Sequence, residues 1–407
     1  MSADKKVPDI RFQGFSGEWE KRAFGDCFDN IPNNTLSRAE LNYEHGIARN
    51  IHYGDVLIKF GEILDANDIS LPFITDKNFV YKQKHATSRN GDIVIADAAE
   101  DSTVGKCTEL FNVDKQIILS GLHTIAIRPT VPFASKYLGY YLNSSSYHDQ
   151  LLPLMQGTKV LSISKSALQY TNINFPSKNE EQIKIGNIFQ RLDSLINQHQ
   201  QKHDKLSNIK KSMLEKMFPK QDETVPEIRF KGFSQEWKVT QVSDIAKTTI
   251  GEFVKQTKQN PNSPYPVFNG GKSFTGHYDD YNNEGDKILV SARGTNAGFV
   301  NYPKTRFWVG NSCYSIDVNM KSEHHTIFLY FSIKRIQHLF TDFQQAANIP
   351  SVSKGDVEKF KFMIPSFEEQ TAIGNYFQKL DTLIEQHQQQ ITKLNNIKQA
   401  CLSKMFI

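Results

Sequence analysis

The sequence predicts an α+β protein: two mixed α/β domains and an antiparallel two-helix coiled coil, arranged with internal pseudo-two-fold symmetry. Three observations lead there. A short motif, Val7-Pro-Asp-Ile-Arg-Phe-Gln-Gly-Phe-Ser-Gly-Glu-Trp19, returns as Val225-Pro-Glu-Ile-Arg-Phe-Lys-Gly-Phe-Ser-Gln-Glu-Trp237. A segment from Glu180 to Phe218 returns from Glu368 to Phe406, with about 25 of its 39 positions identical. Between these copies lie two stretches, near 26–179 and 244–367, that share little and differ in length by roughly 30 residues. A repeat at this spacing governs the architecture before any single element does.

The chain of 407 residues, 39% hydrophobic and 23% charged, has the composition of globular domains with buried cores, and most of its 28 phenylalanines are expected inside. A net charge of +4 permits a nucleic-acid partner without arguing for one, because a local stripe matters more than the total. Cys27, Cys107, Cys313 and Cys401 form no Cys-x-x-Cys pair, so neither a zinc site nor a dithiol redox motif is expected, and a reducing compartment is. No apolar leader and no run of about 18 apolar residues is found, so no membrane span is expected and the reading is cytoplasmic.

In chain order, the segmentation is a first domain with its copy of the short motif (1–179), a first helix (180–218), a second domain with the second copy (219–367) and a second helix (368–407). The repeated segment reads as helix. Ile185, Phe189, Leu192, Ile196, His199, His203, Leu206 and Met213 fall mostly at steps of three and four, and Ile373, Phe377, Leu380, Ile384, His387, Ile391, Leu394, Cys401 and Met405 do the same. Glu180-Glu181 and Glu368-Glu369 complement the N-terminal dipole, and Pro176 and Pro365 precede each start. At about 1.5 Å per residue each helix is on the order of 55 Å long. His199 and His387 sit on the seam, where a polar residue fixes register more readily than it binds metal. If a two-fold axis crosses the pair, the helices are antiparallel and the Val7 motif falls near the end of the second helix.

Inside the domains, Asp55–Phe60, Asp92–Ala96, Ile117–Leu119 and Thr124–Ile127 read as strands, as do Lys287–Val290, Gly298–Val300 and Cys313–Ile316. Helix is expected near Ser135–Leu152 and His324–Phe343. A weaker correspondence links the two domains. Gly91-Asp92 and Gly285-Asp286 each precede a strand, a polar loop and a second glycine, and Ser162-Ile-Ser-Lys165 parallels Ser351-Val-Ser-Lys354. A shared scaffold with unlike loops suits two different recognition tasks.

This layout resembles the specificity subunit of type I restriction–modification systems. The residues that carry the resemblance are Pro176-Ser-Lys-Asn-Glu-Glu-Gln182 and Pro365-Ser-Phe-Glu-Glu-Gln370, the two similar helices, their Met217-Phe218 and Met405-Phe406 ends, and the Gly-Asp-strand-loop-Gly element of both domains. The resemblance spans nearly the whole chain. It implies two target recognition domains, each reading one half of a split double-stranded DNA site. It also implies an antiparallel coiled coil that docks two methyltransferase subunits, with two restriction/translocase subunits in the full complex. No catalysis and no cofactor is then expected on this chain, S-adenosylmethionine belonging to the methyltransferase partners.

Base reading needs donors and acceptors at groove edges, and positioning needs cations on phosphates. In the second domain Arg293 suits guanine, Asn296 or Asn269 adenine, and Lys272, Arg306 and Lys287 phosphate, with Ser273, Ser291 and Thr295 on adjoining positions and Asn348, just before Ser351-Val-Ser353, a further candidate contact. In the first domain the loop Asp97, Glu100, Asp101, Ser102, Thr103 is acidic and suits cytosine amino groups. Lys82, Lys84, Arg89, Lys106 and Lys159 are left for phosphates, and Gln156 and Thr158, just before Ser162-Ile-Ser164, are further candidate contacts. Leu192, Ile196, His199, Leu206, Leu380, Ile384, His387 and Leu394 are the coiled-coil and partner candidates.

Two enzymatic readings fail on residues. Asn262-Ser-Pro-Tyr265 lacks the first proline of an amino-methyltransferase motif and reads as a turn before a strand. Gly270-Gly-Lys-Ser273 lacks the upstream glycine of a phosphate-binding loop. The alternative to DNA reading is a coiled-coil protein-interaction scaffold, which specific against random duplex would distinguish.

Overall fold

The computed structural model describes residues 6–67, 70–113, 116–318, 324–341 and 350–407. The chain folds as two compact units. One comprises Met1–His199 with Gln390–Ile407, the other Gln200–Gln389. Each long helix, Asn179–Lys216 and Phe367–Lys404, therefore gives its two ends to different units.

In the first unit a five-stranded sheet among the described residues has the order Phe28–Ile31, Thr124–Pro129, Ile93–Ala96, Cys107–Phe111 and Ile63–Asp65. Neighbours are antiparallel except the last pair. The central Ile93–Ala96 is buried along its whole length, as a run with no polar alternation requires. Asp92 just before it is only 1% exposed and takes Nε–H (2.8 Å) and Nη2–H (2.7 Å) of Arg128. A second sheet joins Ile117–Ser120, Ala48–Ile51, Phe73–Ile74 and Leu41–Asn42. Helices Tyr137–Asn143 and Ser145–His148 fall where helix is expected.

Asp55–Phe60 is not a strand: Tyr53–Ile58 is helical. The His52 imidazole accepts the Gly54 N–H and starts the turn. Buried Asp55 then pairs with Arg38 (2.8 Å) and, one helical turn on, with Lys59 (3.1 Å). The apolar run turns its Val56 inward and leaves Ile58 exposed.

The second unit is built likewise. Among the described residues its four-stranded sheet runs Lys247–Ile250, Cys313–Asp317, Ile288–Ser291 and Val300–Asn301, with a three-stranded sheet of Gly276–Tyr278, Tyr265–Phe268 and Trp308–Val309. The Gly298–Val300 expectation shifts to Val300–Asn301. Helix Thr326–Arg335 and a 3-10 turn Gln337–Phe340 fill most of the expected helical stretch, of which residues 342–343 lie outside the described residues. Asn262-Ser-Pro is a turn, with Asn262 N–H on Asn260 Oδ1 at 3.0 Å and Ser263 Oγ on Asp279 at 2.7 Å.

The same joint closes each unit. In the first, Ile185, Phe189 and Leu192 share one core with Leu402, Met405 and Phe406. Phe189 stacks on Phe406 at 5.6 Å, and Lys398 meets Asp193 at 2.7 Å, so these helix segments run antiparallel. In the second, Phe218 packs on Phe377 at 6.0 Å and Lys210 reaches Asp381 at 2.5 Å, with the same consequence. Lys–Asp pairs thus key both crossings, while His199 and His387 lie half-buried on their seams. Leu192 and Leu380 are buried in their units, and Ile196, Leu206, Ile384 and Leu394 are half-buried.

The short motif locks each joint. Arg11 holds buried Glu181 with two hydrogen bonds, 2.7 and 2.8 Å, and Arg229 holds Glu369 at 2.7 and 2.6 Å. Ile10 N–H donates to Lys404 O and Ile228 N–H to Lys216 O. Trp19 packs edge-on to Phe406, and Trp237 to Phe218. The Val7 motif does sit at the end of the second helix.

Candidate nucleic-acid interface

Both units present the same backbone device. In the first, Ala98–Ala99, directly after the Gly-Asp strand, pairs antiparallel with Leu161–Ser162, and Ile163 N–H donates to Asp97 O at 2.8 Å. Gln156 and Ser162 exchange backbone bonds at 2.9 and 2.8 Å and close a hairpin tip. Gly157 (φ +114) makes that tip possible, since a Cβ there would lie 2.0 Å from Val160 O. In the second unit Val352 N–H donates to Ala292 O (2.8 Å) and Gly294 N–H to Pro350 O (3.0 Å), bridging Arg293 to Ser351. The loop after each Gly-Asp strand is thus laid against the Ser-x-Ser element.

In the first unit this lays the hairpin beside Asp97, and Gln156, Thr158 and Lys159 on that hairpin are exposed. Asp97 is half-buried. Burial raises its carboxyl above the ordinary range, against the opposing influence of His123 and Lys165. Glu100, Asp101, Ser102 and Thr103 are exposed. Asp101 caps its own turn, accepting the Thr103 hydroxyl and N–H, which holds its carboxyl low. Ser102, Thr103 and Lys106 line a cavity of about 340 Å³ with His148, Leu402 and Ser403, at the end of the second long helix. The Lys106 ammonium donates to Leu57 O at 2.7 Å, and burial lowers its pKa. Lys82, Lys84 and Arg89 are exposed, but Arg89 precedes Ile93–Ala96 and Asp97 follows it, so they occupy opposite ends of that strand.

In the second unit the candidates converge better. Exposed Lys272 and Ser273 lie on a loop held from behind. Ser291 is only 1% exposed and its hydroxyl donates to Gly271 O at 3.3 Å, as does Asn301 Nδ2. Asn269 Oδ1 accepts Ser312 N–H at 3.0 Å, and Gly270 N–H meets Cys313 Sγ at 3.0 Å. Ser291 and Asn269 therefore position the loop from its base. Exposed Arg293 and Thr295 and half-buried Asn296 adjoin it, a Cβ on Gly270 lying 3.4 Å from Arg293 O. Arg306 is apart, at the other end of strand Tyr265–Phe268, bonded to Glu284 at 2.8 Å and over Tyr281 at 4.6 Å. Lys287 pairs with Asp317 at 3.1 Å. Asn348, with Ala347, lies outside the described residues.

Sequence reasoning missed His123, Lys165 and Asn33 in the first unit and Phe274 in the second. Lys165 Nζ reaches Asn33 Oδ1 at 3.4 Å, and Asn33 Nδ2 donates to Gly121 O. Phe274 is 51% exposed and packs on His277 at 4.8 Å. Lys165 had a signal, its place in the repeated Ser-x-Ser-Lys.

Among the described residues no group of three metal-binding side chains occurs, and no helix is long and apolar enough to cross a membrane.

The model of the type I restriction modification DNA specificity domain family matches residues 16–208 and 234–396, one copy per repeat. The chain belongs to that family. Its role is accordingly DNA specificity within a type I restriction–modification system, and specificity subunits are not catalytic. The specificity subunit of the type I restriction enzyme MjaIX of Methanocaldococcus jannaschii is 23% identical over 303 residues, covering 69% of this chain and 70% of that one. The crystal structure of a type I restriction–modification S subunit from M. genitalium superposes with a TM-score of 0.71 at 17% identity. It covers 98% of this chain and 99% of that one, and so shares the fold.

Proposed function

We propose that each mixed α/β domain of this specificity subunit reads one half of a bipartite double-stranded DNA target, the first within 1–179 and the second within 219–367. The helices 180–218 and 368–407 dock two methyltransferase subunits, one per repeat. Two restriction/translocase subunits complete the assembly, S-adenosylmethionine stays on the methyltransferases, and the complex works in the cytoplasm.

One observation supports this reading above the others. An identical pairing of loop and Ser-x-Ser element displays unlike side chains in the two units: Asp97, Gln156, Thr158 and Lys159 in one, Arg293, Thr295 and Ser351 in the other. Phosphate contacts position a protein and base-edge contacts specify sequence. Lys159 and Lys272 suit the first task, Arg293 the second.

The test is co-expression of the chain with the methyltransferase subunit of its own system, followed by mapping of methylated adenines. A split motif with a fixed spacer is expected. Arg293→Ala relaxes one base pair of one half, and Lys272→Ala weakens binding to all sequences while flattening its salt dependence. Methylation without a split motif, or equal affinity for specific and random duplex, overturns the reading.

A further inference from the structure

The first unit carries a built polar pair that the motif reading leaves unexplained. His123 ends the turn Gly121-Leu122-His123, between strands Ile117–Ser120 and Thr124–Pro129. Its backbone is left-handed (φ 54), a conformation that non-glycine residues seldom adopt. The turn is held on several sides. Asp97 N–H donates to His123 O at 3.1 Å, Gly121 N–H to Ile51 O at 2.8 Å, and Asn33 Nδ2 to Gly121 O. The imidazole Nδ1 lies 3.3 Å from Asp97 Oδ1, and the ring meets Tyr53 edge-to-face at 5.3 Å. The side chain nevertheless remains 53% exposed. His52, tilted against Tyr53 at 4.6 Å, and Lys165, near Asp97, are the remaining titratable neighbours. Among the described residues no hydrogen-bond partner appears on Nε2. An exposed ring thus lies within ion-pair distance of a buried Asp97 oxygen that has no hydrogen-bond partner among the described residues, beside the hairpin that carries Thr158 and Lys159.

We propose that His123 is a base-reading residue of the first domain, held by Asp97 in the tautomer whose Nε2 accepts a hydrogen bond from the exocyclic amino group of an adenine or cytosine. In a neutral imidazole one nitrogen donates and the other accepts. A carboxylate only accepts, so an Nδ1 that satisfies the unpartnered Asp97 oxygen carries the proton and Nε2 presents its lone pair. The amino groups of adenine N6 and cytosine N4 are the major-groove donors that match it. Asp97 acts here as a positioning residue and need not touch DNA. This inference deepens the proposed half-site reading and rests on it.

Methylation mapping of the full chain with its methyltransferase partner tests it, using two variants. His123→Gly removes the ring and suits the left-handed backbone, so folding is preserved. It is expected to reduce discrimination at one base pair of one half-site by roughly 10- to 100-fold in relative methylation rate, leaving the other half intact. Asp97→Asn supplies an amide donor to Nδ1, moves the proton to Nε2, and shifts the preference there toward guanine. A wild-type split motif that His123→Gly leaves unchanged overturns this inference alone. The absence of any split motif in the wild type overturns the half-site reading beneath it.

Discussion

Replacing Phe406 with alanine should unfold the domain that begins the chain rather than the one nearest in sequence. The Phe406 ring is 1% exposed, and four aromatic side chains surround it: Phe189 and Tyr141 at 5.6 Å, Tyr137 at 5.9 Å and Trp19 at 6.4 Å. Truncating a buried phenylalanine costs about 3–5 kcal/mol through lost transfer energy and the cavity left behind. Four ring contacts place this site toward the upper end. Against a total stability of about 5–15 kcal/mol, that is a third or more. Hydrogen exchange resolved by peptide is the assay. Peptides over Ile93–Ala96 and Tyr137–Asn143 should lose protection, while those over Ile288–Ser291 and Thr326–Arg335 keep it. Phe218→Ala should give the reverse, because Phe218 packs on Trp237, Phe328 and Phe377. Loss confined to the second helix, or shared equally by both units, would refute the crossed construction.

Arg11→Ala leaves the carboxylate of Glu181, 1% exposed, buried without its fork, and should cost about 3–5 kcal/mol in chemical denaturation, as should Arg229→Ala for Glu369. A change below about 1 kcal/mol would show that the clamp is dispensable. Burial raises the Glu109 carboxyl from 4.5 to about 7, although Gly139 and Lys136 N–H bonds oppose this. The native state then keeps a proton that the unfolded chain releases, so Glu109 lowers stability as pH rises from about 4.5 to 7. The slope attributable to it is at most about 1.4 kcal/mol per pH unit, and Glu109→Gln should abolish it. Identical pH profiles for wild type and variant would contradict that.

The helices, their antiparallel pairing and the docking of the Val7 motif were legible because each repeats, so two copies of one pattern constrain the same joint. The pairing of the Asp97 and Arg293 loops with Ser-x-Ser was legible only as parallel spacing. Its backbone bonds link residues far apart in sequence. Asp55-Val-Leu-Ile-Lys-Phe60 misled because a short apolar run suits a strand as well as a helix, while the deciding contacts, His52 to Gly54 and Asp55 to Arg38, are tertiary or capping effects. Register on the seam is keyed by Lys398–Asp193 and Lys210–Asp381, a pairing the periodicity of one helix cannot reveal. His123 was hidden because only the fold places it beside Asp97.

Exchange of residues 244–367 for the corresponding stretch of another specificity subunit, followed by methylation mapping with the unchanged methyltransferase, tests the division of labour most directly. The account predicts that one half of the split motif changes while the other half persists. Alteration of both halves, or of neither, would contradict it.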